Sequence, residues 1–210
     1  MGTPRIAIVD TGSGNLRSVE KALARAGGAP FVTSHAEDLG KADKIVVPGQ
    51  GAFGACMAGL SKEGGALREA LLASIHRGVP YLGICMGLQV LFDSSEEEPG
   101  CPGLSVLPGK VVKFQIQAPL KVPHMGWNAC YRPADRPDIP VFSRTPDNTY
   151  FYFVHSYFPV PDRPGDVALY SSHGQEFCAA VAKDNITASQ FHPEKSQHAG
   201  LTLLGRFLSL

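Results

Sequence analysis

Residues 79–89, Val-Pro-Tyr-Leu-Gly-Ile-Cys-Met-Gly-Leu-Gln, constrain the fold of this chain more than any other stretch. An apolar run at residues 81–84 leads into Cys85, and residues 86–92 have helical character. Gly83 and Gly87 flank the cysteine symmetrically. This is the pattern of a nucleophile elbow with Cys in place of Ser. A strand that stops abruptly lifts the side chain above a sheet. Small neighbours let strand and helix approach closely, and the turn between them is strained. The helix N-terminus beneath the sulfur then favours a thiolate. A buried cysteine in a tight turn has the same local pattern, so the rest of the chain must decide.

The flanking segments place the elbow in a parallel sheet. Residues 5–10 are nearly continuously apolar, as in a strand buried on both faces. A Gly-rich turn follows at residues 11–15, and Asn15 is an expected N-cap. Leu16, Val19, Leu23 and Ala26 mark one helix face, which stops at Gly27 and Gly28. The turn lacks the Gly-Lys-Ser/Thr of a phosphate-binding loop and the third glycine of a dinucleotide site. A structural turn or a partner surface fits it better. Strands are expected at residues 30–33 and 44–47, the second ending in a Gly-rich loop at residues 48–54. Leu67, Leu71 and Ile75 define another helix. Strands alternating with helices imply parallel pairing with right-handed crossovers. Sites in such sheets lie at the carboxyl ends of strands. Gly49, Gln50, Gly51 and Cys85 all fall there.

Beyond Phe92 the character changes. Residues 93–103 read as a polar surface loop. Residues 111–114, 127–131, 150–158 and 167–170 read as strands of a more antiparallel region, with turns at 108–109, 132–140 and 159–165. Residues 178–182 and 186–191 form an expected hairpin, and Leu201, Leu204 and Leu208 mark a last helix. One domain over residues 1–210 is expected.

Charge and cysteine usage exclude several classes. Lys plus Arg and Asp plus Glu both number 19, so no basic surface for nucleic acid is expected. No apolar run reaches the length of a membrane span, and no signal segment precedes the first strand. The cysteines are Cys56, Cys85, Cys101, Cys130 and Cys178, an odd number without a Cys-x-x-Cys pair. Neither a disulfide framework nor a zinc site is suggested, no metal or cofactor is expected, and a reducing cytoplasmic setting is the simplest reading.

A nucleophilic cysteine needs a base, and the base needs an orienting group. Gln-Phe-His-Pro-Glu-Lys at residues 190–195 supplies both, after an expected strand. His192 and Glu194 are two residues apart, and in extended backbone such positions point the same way. Taken together, an elbow cysteine, an upstream Gly-rich loop and a late His-x-Glu are far more specific than any one of them.

These residues resemble the class I, triad-type glutamine amidotransferases. Within that family, the chain looks like the glutaminase subunits of imidazole glycerol phosphate synthases from histidine biosynthesis. Four further stretches carry the likeness: residues 12–18, 48–54, 194–200, and above all Pro-His-Met-Gly-Trp-Asn at 123–128. The resemblance implies a flavodoxin-like, three-layer α/β/α fold, with a largely parallel central sheet and antiparallel additions in the C-terminal half. It implies that Cys85 attacks the side-chain amide of glutamine, His192 acts as base and then acid, and Glu194 orients the imidazole. The oxyanion would be held by backbone N–H groups around Gly49, Gln50 and Gly51 and by that of Met86. Glutamine would contact Gly51, Gln89, Ser156 and Tyr157. The ammonia would pass to a (β/α)₈ barrel cyclase partner, with Asn15, Trp127 and Lys195 at the interface. The family's oxyanion segment commonly reads Pro-Gly-Val-Gly, and here Gln50 takes the valine's place. Similarly, Thr11 stands where the family often has Tyr.

Three other readings compete. The glutaminase subunits of pyridoxal phosphate synthase and anthranilate synthase lack the His-Met-Gly-Trp-Asn context. A free cysteine hydrolase would turn over without a partner. A non-catalytic module would have no reason to keep Cys85, His192 and Glu194 together.

Overall fold

The computed structural model describes residues 2–12, 14–134, 139–143 and 145–210. Parts of the expected turns at 11–15 and 132–140 lie outside the described residues. The first half runs β1 (Arg5–Val9), α1 (Leu16–Arg25), β2 (Ala29–Thr33), α2 (Ala36–Leu39), β3 (Lys44–Gly49), α3 (Phe53–Leu60), α4 (Ala66–His76), β4 (Tyr81–Cys85) and α5 (Met86–Gln89). The second runs β5 (Ser94–Ser95), β6 (Gly109–Lys113), β7 (His124–Cys130), β8 (Thr149–His155), β9 (Tyr157–Pro161), β10 (Val167–Ser172), β11 (Glu176–Lys183), β12 (Ile186–Ser189) and α6 (Gln197–Leu208).

A seven-stranded sheet has the order β10-β11-β12-β4-β3-β1-β2. The run from β12 to β2 is parallel throughout, while β10, β11 and β12 pair antiparallel. Starting from β2, the order 2-1-3-4 followed by β12 is the flavodoxin-like winding. Central strands β3 and β4 are buried along their whole length, because helices cover both faces. One face carries Ala7, Val9, Ile45, Val47 and Tyr81 against α3 and α4. The other carries Ile6, Ile8, Val46, Leu82 and Ile84 against α1 and α6. Edge strand β2 tolerates Pro30, whose missing N–H costs least where only one side of the strand is paired. Helix α1 starts as expected, with the Asn15 side chain accepting from the Ser18 N–H at 3.2 Å.

Several elements differ from the sequence expectation. Residues 86–92 are helical only to Gln89. There the turns tighten, with the N–H of Leu91 bonding Leu88 and that of Phe92 bonding Gln89. The carbonyls of Val90, Leu91 and Phe92 are taken by N–H groups of residues 104–107 instead of a further helical turn. Helix α3 has no counterpart in the sequence reading. Its capping position is Ala52, it contains Gly54 and Gly59, and it is apolar nearly all round. The 93–103 segment is more than a polar loop. It contains β5, and the Glu97 carboxylate accepts from the Phe53 N–H at 2.8 Å, where α3 lacks a capping side chain.

Residues 150–158 are two strands rather than one. β8 pairs with β7, the chain turns at Ser156, and β9 pairs with β6 in a separate three-stranded sheet. In α6 the inward residues are Gly200, Leu203, Leu204 and Phe207, so Leu201 and Leu208 sit at the margin of the buried face. Close approach at the elbow is real: a Cβ on Gly87 would overlap the Val47 carbonyl. Among the described residues, no helix is long and apolar enough to cross a membrane.

Candidate active site

Strands β3, β4 and β12 end side by side. Gly49 pairs in register with Cys85, and Ser189 with Ile84, so Gln190 emerges beside the cysteine. Cys85 has φ 53° and ψ −99°, an unusual conformation for a residue with a Cβ, held by the packed strand and helix on either side. This is the elbow geometry the sequence predicts. Helix α5 is a single turn, so its summed dipole is small. What the turn offers the sulfur is its free N–H groups.

His192 follows two residues after Gln190. Its N–H donates to the Tyr152 carbonyl at 2.9 Å, and its own carbonyl accepts from the Ser196 hydroxyl at 2.6 Å. The imidazole Nδ1 lies 2.8 Å from the Glu194 carboxylate, with both side chains only 1% exposed. The expected extended i, i+2 geometry does not produce this contact. Pro193 instead starts a short 3₁₀ turn, Pro193–Lys195, which folds Glu194 back onto His192. The carboxylate accepts, so Nδ1 carries the proton and a neutral imidazole keeps its lone pair on Nε2. Nε2 has no hydrogen-bond partner of regular geometry. Burial lowers the His192 pKa, but the hydrogen bond and charge of Cys85, reinforced by Glu194, outweigh burial and push it up to about 9. Burial pushes the thiol of Cys56 up to about 11, and those of Cys130 and Cys178 higher still. These three are inert buried thiols.

A cavity of about 270 Å³ opens over Cys85. Gln50, Gly51, Met86, Gln89, Ser156 and Tyr157, each expected from the sequence at the oxyanion or glutamine contacts, line it together with the cysteine. Gly49 stands at the strand end beside them. Gly51 has φ 120°, which only glycine adopts readily. The sequence reading missed Glu97, Pro123, Val154 and His155, which also line the cavity. It also assigned no role to Gln190. The Gln190 amide lies 3.5 Å from the Cys85 sulfur and 3.0 Å from the Gln89 amide, and it is completely buried. Its place in the run that carries His192 was the one available signal. Gln89 Oε1 and Glu194 Oε2 are buried without protein partners.

Behind the cavity lies a chain of imidazoles. The Tyr157 carbonyl, 2.8 Å from His155 Nδ1, can only accept, so that nitrogen is the donor. His155 Nε2 then accepts from His124 Nδ1 at 3.0 Å, and His124 Nε2 accepts from the Asn128 amide at 3.2 Å. Burial pushes His155 down to about 3 and His124 down to about 4. Both are therefore neutral at pH 7. An unfolded histidine titrates near 6.5. The stability these two groups contribute is present above that pH and lost as pH falls towards 4. The steepest loss is about 2–3 kcal/mol per pH unit. Melting followed by circular dichroism between pH 8 and 4 is expected to show this drop, and His124→Gln to flatten it.

The three residues expected at a partner surface, Asn15, Trp127 and Lys195, lie far apart in the sequence. Trp127 is 46% exposed on β7 and opposes Tyr152 of β8. Lys195 Nζ lies 5.8 Å from the centre of the Tyr152 ring. Asn15 is exposed, with its side chain engaged in capping α1.

Residues 7–208 match the family description "Glutamine amidotransferase class-I". The chain is 48% identical over 210 residues to the "Imidazole glycerol phosphate synthase subunit HisH" of Geobacter metallireducens, covering 96% of each. It is 48% identical over 205 residues to the protein of the same name from Methanothermobacter thermautotrophicus, covering 98% of each. Among solved structures, "Structure of PurLQS from Thermotoga maritima" matches with a TM-score of 0.75 at 19% identity, covering 99% of both chains, and so supports the fold. The elbow cysteine, the flavodoxin-like sheet and the full-length match agree, and this chain belongs to the class I glutamine amidotransferase family.

Proposed function

We propose that the chain is the glutaminase subunit of an imidazole glycerol phosphate synthase, acting through Cys85, His192 and Glu194. The observation that carries this is the conjunction at the strand ends: a strained cysteine lining a small cavity, beside a buried imidazole held by a buried carboxylate. The 48% identity to two such subunits supports the same reading. Glutamine enters the cavity, and the Cys85 sulfur attacks its side-chain carbonyl carbon. Glu97 is the carboxylate available in the lining for the substrate ammonium group, and Gln89 Oε1 is an acceptor for a substrate N–H. As the tetrahedral intermediate collapses, the carbon–nitrogen bond breaks and His192 gives its proton to the departing ammonia. The γ-glutamyl thioester is then attacked by water, whose proton returns to His192, and glutamate leaves. Glu194 keeps the imidazole in one tautomer and stabilises its charged form. The N–H of Met86 and those of the Gly49–Gln50–Gly51 backbone would bind the oxyanion, where one donor is worth about 10²–10³ in rate. No cofactor is needed for these steps.

Ammonia released to water is protonated and diffuses away, so its use requires a second site in direct contact. The outer face of the β7–β8 ribbon offers a surface for the barrel partner. Met125, Trp127 and Tyr150 are 63%, 46% and 58% exposed there. Exposed aromatic residues of this kind are frequent interface anchors. Trp127, Lys195 and Asn15 would belong to this heterodimer interface, and the enzyme would work in the cytoplasm as one amidotransferase domain over residues 1–210. Glutamate release is to be measured for the chain alone, then with the (β/α)₈ cyclase and its ribonucleotide ligand. Near-silence alone and a large rise in the complex are expected. Full activity without a partner would favour a free hydrolase.

A further inference from the structure

We propose that Gln190 is a positioning residue that couples the nucleophile to the substrate-binding amide. This rests on the glutaminase reading above and deepens it. The orientation of every group in the chain follows from one backbone carbonyl. The carbonyl of Tyr157 has only lone pairs, so the Gln89 atom 3.0 Å away must be the donor Nε2. The same Nε2 also lies 3.0 Å from the Gln190 side chain, so the Gln190 atom there must be the acceptor Oε1. Gln190 Nε2 is thereby turned towards Cys85 Sγ, 3.5 Å away.

Two consequences follow. The sulfur accepts from Gln190, so a thiol proton on it is left to point towards His192 Nε2, which takes it up to give the imidazolium that the raised His192 pKa favours below about pH 9. A thiolate formed by that transfer gains a charge-assisted hydrogen bond. At the other end, both Gln89 N–H groups are held, so the buried Gln89 Oε1 is fixed as an acceptor facing the ligand. A site of this polarity takes an N–H donor from the ligand and disfavours a carboxylate in the same place. Gln190 thus sets the proton direction of the nucleophile and the polarity of the pocket at once.

Gln190→Met, which keeps the length and removes both functions, is expected to lower kcat about 10–100-fold and to raise the KM for glutamine about tenfold. Gln89→Met should raise KM with a smaller effect on kcat. In the double variant, KM should match that of Gln89→Met, because Gln190 acts on binding only through Gln89. Gln190→Glu supplies a second variant should Gln190→Met not fold. It keeps the acceptor for Gln89, so KM should stay near the wild-type value. Its kcat should fall as pH rises from 6 to 8, where the ionised carboxylate can no longer donate to sulfur and the wild type is flat. Multiplying KM effects in the double variant, an unchanged kcat in Gln190→Met, or a flat pH profile for Gln190→Glu would each overturn the proposal. All assays use the complex with the barrel cyclase, with the wild type in parallel. A silent wild type would instead refute the glutaminase reading itself.

Discussion

Cys85→Ala is expected to lower glutamate release by about 10⁴-fold or more. Cys85 carries the one thiol among the described residues that line the cavity, and Cys56, Cys130 and Cys178 lie outside that lining with thiol pKa values raised by burial. The substitution removes one atom without disturbing the Gly83 and Gly87 packing, so the melting temperature should change by only a few degrees. Residual rate would come from the oxyanion donors and binding alone. In the complex, the variant should lose product formation from glutamine and keep it when ammonium salt is supplied directly. Steady-state assays with each nitrogen source check this. Loss with both sources would mean that the variant disrupts assembly rather than chemistry.

Glu194→Gln is expected to lower kcat by about 10²–10⁴-fold. The carboxylate lies 2.8 Å from His192 Nδ1 and is as buried as the imidazole, so its charge acts through little intervening water. An amide in its place removes that charge and can present a donor to Nδ1, inverting the tautomer. A pH shift should accompany the rate loss. In the wild type, His192 keeps its proton up to about pH 9. Ammonia departure needs that proton, so kcat/KM should decline as pH rises through about 9. Without Glu194 the decline should begin at lower pH. The stability linkage has the opposite sign to that of His124 and His155. A raised histidine pKa contributes stability that is complete below about 6.5 and lost as pH rises through 9. Glu194→Gln should weaken this alkaline loss. A full pH–rate profile with parallel melting curves measures both.

Much of the architecture is legible because it is written in local pattern. Residues 5–10 and 81–85 announce buried strands, and Leu16, Val19 and Leu23 announce an amphipathic helix with an Asn15 cap. Cys85, His192 and Glu194 stand out because the elbow and the His-x-Glu run are short motifs. What escapes is whatever depends on distant contacts. Helix α3 carries no cap of its own, because Glu97 supplies the acceptor from 44 residues away. The break at Ser156 is invisible in an alternating run, because it arises when the chain exchanges β7 for β6 as partner. Gln190 reads as an ordinary polar residue until the fold brings it to a cysteine 105 positions earlier. His155 likewise reads as part of a strand, and only the cavity and the imidazole chain reveal its place.

The most direct test of the account is covalent labelling with an electrophilic glutamine analogue, a chloroketone, followed by peptide mass spectrometry. The account predicts one label, on the peptide containing Cys85, formed faster in the liganded complex and blocked by glutamine. A label on another residue, or undiminished glutaminase activity after Cys85 is fully modified, would contradict it.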